Sequence, residues 1–271
     1  MQADPMKWLY HKLAPETLRK LVSKLRQGEV MFPLSSVSRK EFQRLTRYYP
    51  RYHPGTLYKA VGFYMILNMI KKHSVVGDIV ECGVGIGESL IVLGMCDRQC
   101  KLGRRLYGYD SFQGFPEPSK YDVSVRNPQK GDLWGDTSLD HVRQNFIDAG
   151  LSDFSKEQVN LIQGFFDETL LRASDPDTIA FLHLDVDLYD SYKICAEVLG
   201  PRVTGLIQYD EYNSPKWPGA TRAINECLLK LDHTLFFSSN VRLGSCMYRN
   251  ESTTITPYQG AKKFSANAKN T

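Results

Sequence analysis

The sequence lacks the patterns that mark several classes of protein. None of its six cysteines forms a CxxC pair, which argues against a zinc ribbon and against a dithiol redox motif. No apolar run reaches the roughly 18 residues that a membrane-spanning helix needs. The first residues, MQADPMKWLYHKL, contain no apolar signal-peptide segment. We therefore expect a cytoplasmic protein with reduced thiols and no membrane partner.

A strong excess of charge of one sign is also absent. The formal net charge is only +4 over 271 residues. No long face interleaves basic and aromatic residues in the way that nucleic-acid-binding surfaces do. We interpret the excess of lysine and arginine as solvated surface and expect no nucleic-acid partner. The apolar share of 42% is sufficient for a sizeable core.

Strand and helix patterns alternate along most of the chain. Short apolar runs rich in β-branched and aromatic residues are separated by helical patterns, which is typical of an α/β protein with a doubly wound, mostly parallel sheet. Residues 56–250 are predicted to form this domain, and a hairpin near residues 235–249 is predicted to close it. Residues 113–137 are rich in Pro, Gly and Asp and are predicted to form a long irregular segment, a lid or a disordered loop.

The two ends of the chain show no strand pattern. Residues 1–55 are predicted to form a helical appendage, because Leu18, Leu21 and Leu25 keep helical spacing. The sequence leaves open whether this appendage covers the site or joins two copies as a homodimer. Residues 251–271 are polar, and we expect them to be a flexible tail.

A glycine-rich turn, ECGVGIGES, joins the first strand of the domain to a helix. Its glycines, Gly83, Gly85 and Gly87, permit positive φ and close approach of the backbone to a ligand. The spacing is G-x-G-x-G rather than the G-x-G-x-x-G of dinucleotide-binding turns. Glu81 and Glu88 make the turn acidic, which disfavours a pyrophosphate. S-adenosylmethionine, which carries a sulfonium cation and an amino group, suits such a turn better.

Asp110 ends the second predicted strand. In nucleotide-binding folds, an acidic residue at this position accepts hydrogen bonds from ribose hydroxyls. An aspartate that follows a strand also often caps a helix or forms a turn. The position favours the ribose role without excluding the other.

Two pairs of acidic residues follow two later strands. Asp185 and Asp187 stand in FLHLDVDLYDS, and Asp210 and Glu211 stand in GLIQYDEYNSP. Ligands of open α/β sheets bind beyond the carboxyl ends of the strands, so both pairs are predicted to share one rim. Close carboxylates repel one another unless a cation or a shared proton relieves them, and such oxygen ligands suit Mg²⁺. The alternative is that the four acids cap helices or form surface pairs, and His183 is interpreted as packed beneath the site.

These motifs occur together in a known family. The segments ECGVGIGES, YDSFQGFPEP, QGFFDETL, LHLDVDLYDS and IQYDEYNSPKWPGATRAINE follow one another as in the macrocin O-methyltransferases, which the chain resembles over residues 75–230. Those enzymes use S-adenosyl-L-methionine and Mg²⁺ in natural-product pathways. The resemblance implies a Rossmann-like class I methyltransferase fold with the same two cofactors. It also implies O-methylation of a hydroxyl beside another oxygen in a small-molecule acceptor, which is a sugar, phenol, polyketide or peptide scaffold.

The resemblance further implies roles for individual residues. Asp185, Asp210 and Glu211 would bind the metal ion, although relatives usually have an aspartate where Glu211 stands. Asp187 would be the general base, and His141 is the nearest counterpart of a catalytic histidine on the lid side. A histidine on an amphipathic helix is more often at the surface. The residues that would bind the cofactor are Glu81, Gly83, Gly85, Gly87, Ser89, Asp110, Ser111, Gln163, Gly164, Phe165 and Asp185.

Two other functions remain open from the sequence. A nicotinamide-dependent oxidoreductase is disfavoured by the glycine spacing and by the acidic pairs. A non-catalytic S-adenosylmethionine-binding protein would bind the cofactor without needing a metal, and Glu211 leaves room for this reading. The identity of the acceptor is not encoded in any motif that we can interpret.

Overall fold

A computed structural model of the protein describes residues 56–172, 174–228, 233–236 and 245–249. The predicted appendage at residues 1–55 and the predicted tail at residues 251–271 lie outside the described residues. The described residues form the domain that carries the glycine turn and the acidic pairs.

A seven-stranded sheet forms the centre of the described domain. Its strands are β1 (Asp78–Cys82), β2 (Leu106–Asp110), β3 (Val159–Gln163), β4 (Ile179–Leu184), β5 (Val203–Tyr209), β6 (His233–Phe236) and β7 (Ser245–Arg249). Their order across the sheet is β3-β2-β1-β4-β5-β7-β6. Strands β1 to β5 run parallel, whereas β7 is antiparallel to β5 and to β6. The prediction of a doubly wound, mostly parallel sheet closed by a hairpin is confirmed.

The described helices are α1 (Thr56–Lys72), α2 (Glu88–Cys100), α3 (Leu139–Asp148), α4 (Ser152–Gln158), α5 (Phe166–Thr169), α6 (Tyr189–Leu199) and α7 (Pro218–Leu228). Helix α3 begins after Ser138, whose side chain accepts a hydrogen bond from the backbone N–H of His141. Helix α4 was not predicted; Leu151 precedes it and provides no side-chain cap. Among the helices of the described ranges, none is both long and apolar enough to span a membrane.

Buried apolar side chains cover both faces of the sheet. Phe63 and Leu67 of α1 pack with Leu90 of α2 on one face, and Tyr192 of α6 packs with Ile224 of α7 on the other. All six residues of β4, including His183, are buried, which agrees with its largely apolar sequence. This packing holds the carboxyl ends of the central strands at one rigid edge, where the glycine turn and the acidic pairs lie.

Residues 113–137, which we call the lid, contain neither helix nor strand, as the sequence predicts. Asp122 attaches the lid to helix α6. Its side chain is almost fully buried, and its Oδ1 atom accepts a hydrogen bond from the backbone N–H of Tyr189 at 2.8 Å. Its Oδ2 atom accepts hydrogen bonds from the backbone N–H and the hydroxyl of Ser119, at 2.8 Å and 2.7 Å. One buried carboxylate therefore fixes both the fold of the lid and its position on the domain.

We expect Asp122→Ala to loosen the lid. The substitution removes the acceptor of the buried Tyr189 amide and of two lid donors, at a cost of about 1–3 kcal/mol for each buried group left unpaired. Lys120, Arg126 and Lys130 are trypsin sites within the lid. Limited trypsin digestion followed by mass spectrometry should therefore show faster cleavage at these three sites than in the wild type. Asp122→Asn, which retains one acceptor oxygen, should be cleaved at an intermediate rate. Equal cleavage of all three proteins would contradict the conclusion that Asp122 attaches the lid to the domain.

Candidate active site

The glycine turn after β1 lies where the ends of three strands meet. Gly83, Gly85 and Gly87 have φ values of +87°, +54° and +91°, which glycine adopts without strain. The backbone N–H of Gly83 donates to the carbonyl of Tyr109 at the end of β2, at 2.9 Å. A Cβ atom on Gly83 would lie 1.9 Å from the carbonyl oxygen of Asp185, which follows β4. The turn is thus in direct contact with the segment that carries the first acidic pair.

Asp110 holds the glycine turn in place. Its Oδ2 atom accepts a hydrogen bond from the backbone N–H of Gly85 at 2.8 Å, and its Oδ1 atom accepts one from Phe112 at 2.7 Å. Burial raises the pKa of the Asp110 carboxyl, whereas these amide hydrogen bonds lower it. The hydroxyl of the buried Ser111 donates to the carbonyl of Gly114 at 3.0 Å. Asp110 and Ser111 lie beside the turn as a ribose site requires, and their contact with ribose stays a prediction.

A cavity of about 640 Å³ opens beside the turn and provides space for a nucleoside-sized ligand. Five of the predicted cofactor residues line it: Gly83, Asp110, Ser111, Gly164 and Phe165. Gln163, at the end of β3, is exposed and does not belong to this lining.

The lid contributes a residue that the sequence reasoning missed, Trp134. Its ring lines the cavity and packs over the turn, with Cδ1 3.0 Å from where a Cβ atom on Gly85 would lie. Trp134 and its neighbour Leu133 both have positive φ values, +53° and +58°. For residues other than glycine, such conformations cost on the order of 1–3 kcal/mol and are concentrated at ligand sites. A lone aromatic in the Gly- and Asp-rich segment GDLWGDTS was the available signal.

Glu81, which was predicted to bind the cofactor, is fully buried beneath the turn. Its Oε1 atom lies 2.7 Å from Nδ1 of His183, which is also fully buried, as the sequence reasoning expected. Burial raises the pKa of Glu81, while His183 and the nearby Ser89 hydroxyl lower it. Glu81 and Ser89 therefore face each other inside the domain, and their contact with the cofactor stays a prediction.

The acidic pairs after β4 and β5 come together as the sequence predicts. One group contains His183, Asp185 and Asp210, and a second contains Asp185, Asp187 and Glu211. Within each group, the atoms that could bind a metal all lie within 4.8 Å of one another. Asp185 belongs to both groups. In the described residues, the predicted trio of Asp185, Asp210 and Glu211 is thus divided between two overlapping groups, with Asp185 at the centre.

Electrostatics in this cluster favour a bound cation. Burial raises the pKa of Glu211 well above its usual value, and the charges of Asp185, Asp187 and Asp210 raise it further. The Tyr192 hydroxyl donates a hydrogen bond to Oε2 of Glu211. A divalent cation among these oxygens would relieve the repulsion that raises this pKa. The carboxylates therefore fit an oxygen-ligated divalent ion such as Mg²⁺.

Asp187 has a strained backbone, with a φ value of +58°. This left-handed conformation lies three residues beyond the end of β4, and the Asp187 carboxylate belongs to the second group. The residue is only partly buried. The placement is compatible with the predicted role of general base, which stays a prediction.

His141, the other predicted catalytic residue, is not in either metal-binding group. It is exposed on α3, and its Nδ1 atom lies 3.4 Å from the Thr137 hydroxyl. The amphipathic helix explains why His141 faces the solvent, and its catalytic role stays a prediction.

Comparison with known sequences supports a single family. The model of the macrocin O-methyltransferase (TylF) family matches residues 38–231, which is more than half of the chain. No curated protein matches the sequence significantly.

Comparison with solved structures agrees with the family match. The O-methyltransferase NovP is 26% identical with a TM-score of 0.60, over 72% of this chain and 81% of NovP. The calicheamicin methyltransferase CalS11 is 22% identical with the same TM-score, over 93% of this chain and 99% of CalS11. The Podospora anserina methyltransferase PaMTH1, solved with S-adenosylhomocysteine, is 13% identical with a TM-score of 0.51 over 88% of this chain and 97% of PaMTH1. CalS11 and PaMTH1, which are less than 25% identical to this chain, show only that the fold is shared.

Proposed function

Because the chain belongs to the macrocin O-methyltransferase family, we propose that it methylates a hydroxyl of a natural-product acceptor in which a second oxygen is adjacent, with a divalent cation bound at Asp185. The protein is an S-adenosylmethionine-dependent O-methyltransferase of the natural-product type, so the nicotinamide-dependent alternative is wrong. The adjacent oxygen, the cation and the acceptor class are the parts that we propose.

One observation supports the proposal above all others. Gly83 lines the cavity and is in contact with the backbone of Asp185, which belongs to both metal-binding groups. The cofactor cavity and the candidate cation site are therefore adjacent, as methyl transfer to a cation-bound oxygen requires. A binding protein without catalysis would not need four carboxylates at this position, since their mutual repulsion destabilises the domain.

The residues divide the chemical task. The glycine turn and Asp110 hold the cofactor, which supplies an activated methyl group on a sulfonium. Asp185, with Asp210 and Glu211 beside it, would hold Mg²⁺, which when bound would supply Lewis-acid stabilisation for an acceptor oxygen as it loses its proton. Asp187 accepts the proton from the reacting hydroxyl. Alignment of this oxygen with the methyl group contributes the remaining part of the acceleration.

The acceptor class follows from the need for two oxygens on one ion. A vicinal diol of a sugar and a catechol both meet this requirement. CalS11 is described as a TDP-rhamnose 3'-O-methyltransferase, whose sugar substrate carries hydroxyls on neighbouring carbons. We therefore propose deoxysugars, free or attached to a nucleotide or scaffold, as the first acceptor class to test.

We expect transfer of a labelled methyl group only to acceptors with adjacent oxygens. A panel of sugars with vicinal diols and of catechols should be compared with matched compounds in which one of the two hydroxyls is removed. EDTA should abolish transfer, and added Mg²⁺ should restore it. Equal methylation of the matched compounds, unaffected by EDTA, would contradict the proposal.

A further inference from the structure

We propose that the cation of this site has a nitrogen ligand, the Nε2 atom of His183, together with the carboxylates of Asp185 and Asp210. The inference rests on the proposed function, since it assigns the ligands of the same cation. It predicts that the protein discriminates among divalent ions and prefers Mn²⁺ or Co²⁺ to Mg²⁺.

The position of the His183 ring carries the inference. The ring lies at the second-last residue of β4 and is fully buried between two carboxylates. Nδ1 lies 2.7 Å from Oε1 of Glu81, whereas Nε2 lies 3.9 Å from Oδ1 of Asp210. The second distance is too long for a hydrogen bond. It is within the roughly 4.2 Å that separates two ligand atoms on opposite sides of one ion, each about 2.1 Å from it.

Glu81 supplies the support that a metal-binding histidine usually has. Such histidines donate their other ring N–H to a carboxylate or carbonyl, which fixes the tautomer and leaves the lone pair on the metal-facing nitrogen. Glu81 lies on the neighbouring strand β1, directly opposite His183. Its Oε1 atom is the hydrogen-bond partner of the Nδ1 atom of His183. A carboxylate without access to water is costly unless it has a specific partner. The Glu81–His183 pair therefore has the arrangement of a ligand and its supporting carboxylate.

Aromatic packing fixes the plane of the ring. The ring of Phe63 on α1 meets His183 edge-on with centroids 4.9 Å apart, and Phe181 is nearly parallel to it at 6.3 Å. With the ring held on three sides, Nε2 faces the group that contains Asp185 and Asp210. A preformed nitrogen donor at this point costs little reorganisation when an ion binds.

The donor set determines which ion is favoured. Carboxylates and water suit Mg²⁺ and Mn²⁺, whereas imidazole nitrogen suits later transition metals. Mg²⁺ rarely takes a nitrogen ligand in proteins, because it prefers oxygens in strict octahedral geometry. One imidazole with two carboxylates therefore shifts the preference toward Mn²⁺, Co²⁺ and their neighbours without excluding Mg²⁺.

Pulsed electron paramagnetic resonance of the full chain loaded with Mn²⁺ tests the ligand directly. We expect electron spin echo modulation from a coordinated ¹⁴N nucleus in the wild type and its loss in His183→Gln. His141→Gln is the matched control, because His141 is exposed and outside both groups, and it should retain the modulation. By calorimetry, His183→Gln should weaken Mn²⁺ binding by at least about 10-fold, the lower end of losses seen for supporting residues, and should weaken Mg²⁺ binding less.

The outcomes separate this inference from the proposed function. If Mn²⁺ binds to the wild type without ¹⁴N modulation, His183 is not a ligand, but the cation site itself is retained. Failure of both Mn²⁺ and Mg²⁺ to bind the wild type would overturn the cation site as well. If His183→Gln does not fold, the wild-type spectrum and the His141→Gln control still decide the question.

Discussion

Asp185→Asn should lower kcat for methyl transfer by about 1,000-fold or more. A bound cation contributes several kcal/mol to stabilisation of transition-state charge, and every 1.36 kcal/mol corresponds to a factor of ten in rate. Asp185 belongs to both metal-binding groups, so no other single substitution removes a ligand from each. Asparagine preserves the size of the side chain while removing the charge. Labelled-methyl transfer at saturating Mg²⁺ measures the loss, and calorimetry measures the affinity for Mg²⁺.

The same variant separates the two roles predicted for Asp185. S-adenosylhomocysteine should still bind with nearly unchanged affinity, because the cavity lining and the glycine turn remain intact. Loss of cofactor binding with metal binding unchanged would mean that this carboxylate serves the cofactor instead. Asp140→Asn is the matched control, since Asp140 is an exposed acid on α3 that pairs with Arg143 at 3.2 Å. It should leave turnover and both affinities unaltered.

Gly83→Ala should impair the cofactor site and the cation site together. A Cβ atom there would lie 1.9 Å from the carbonyl oxygen of Asp185, so the turn and the segment after β4 must move apart. The φ value of +87° adds strain for any residue with a side chain. A displacement of about 1 Å at a catalytic site can cost about 100-fold in rate. We expect a loss of this size or larger in kcat/KM, with weaker binding of S-adenosylhomocysteine by calorimetry.

Gly150→Ala is the matched control for this substitution. Gly150 also has a positive φ, +66°, but no heavy atom lies within 4 Å of where its Cβ atom would be. The variant therefore carries the backbone strain without the clash. It should lose some thermal stability while its cofactor affinity stays at the wild-type value. Similar cofactor affinities for the two alanine variants would show that the contact between Gly83 and Asp185 is not needed.

The sequence predicted those features of the site that depend on strand ends. Asp185 and Asp210 each follow an apolar run, and parallel strands bring their carboxyl ends to one edge, so the two side chains had to be close. The burial of His183 agrees with its place in the apolar run of β4, where every residue is buried. Glycine spacing correctly indicated a tight turn between strand and helix, because Gly83, Gly85 and Gly87 all have positive φ values, which glycine adopts without strain.

The features that the sequence did not predict depend on side chains that are distant along the chain. Glu81 meets His183 across 102 positions, and Asp122 meets Tyr189 across 67. No local pattern encodes such pairs, because their geometry is set by the register between strands and by the path of the lid. The division of Asp210 and Glu211 between two groups likewise depends on rotamers beyond the strand end.

The lid begins shortly after β2 and ends at Thr137, just before Ser138 caps helix α3. It is thus one continuous segment of the chain, bounded by β2 on one side and by α3 on the other. Trp134 of the lid packs over the glycine turn, whereas every carboxylate of the candidate cation site lies outside the lid. Substitutions in the lid can therefore alter the wall of the cofactor cavity without removing any carboxylate of the candidate cation site.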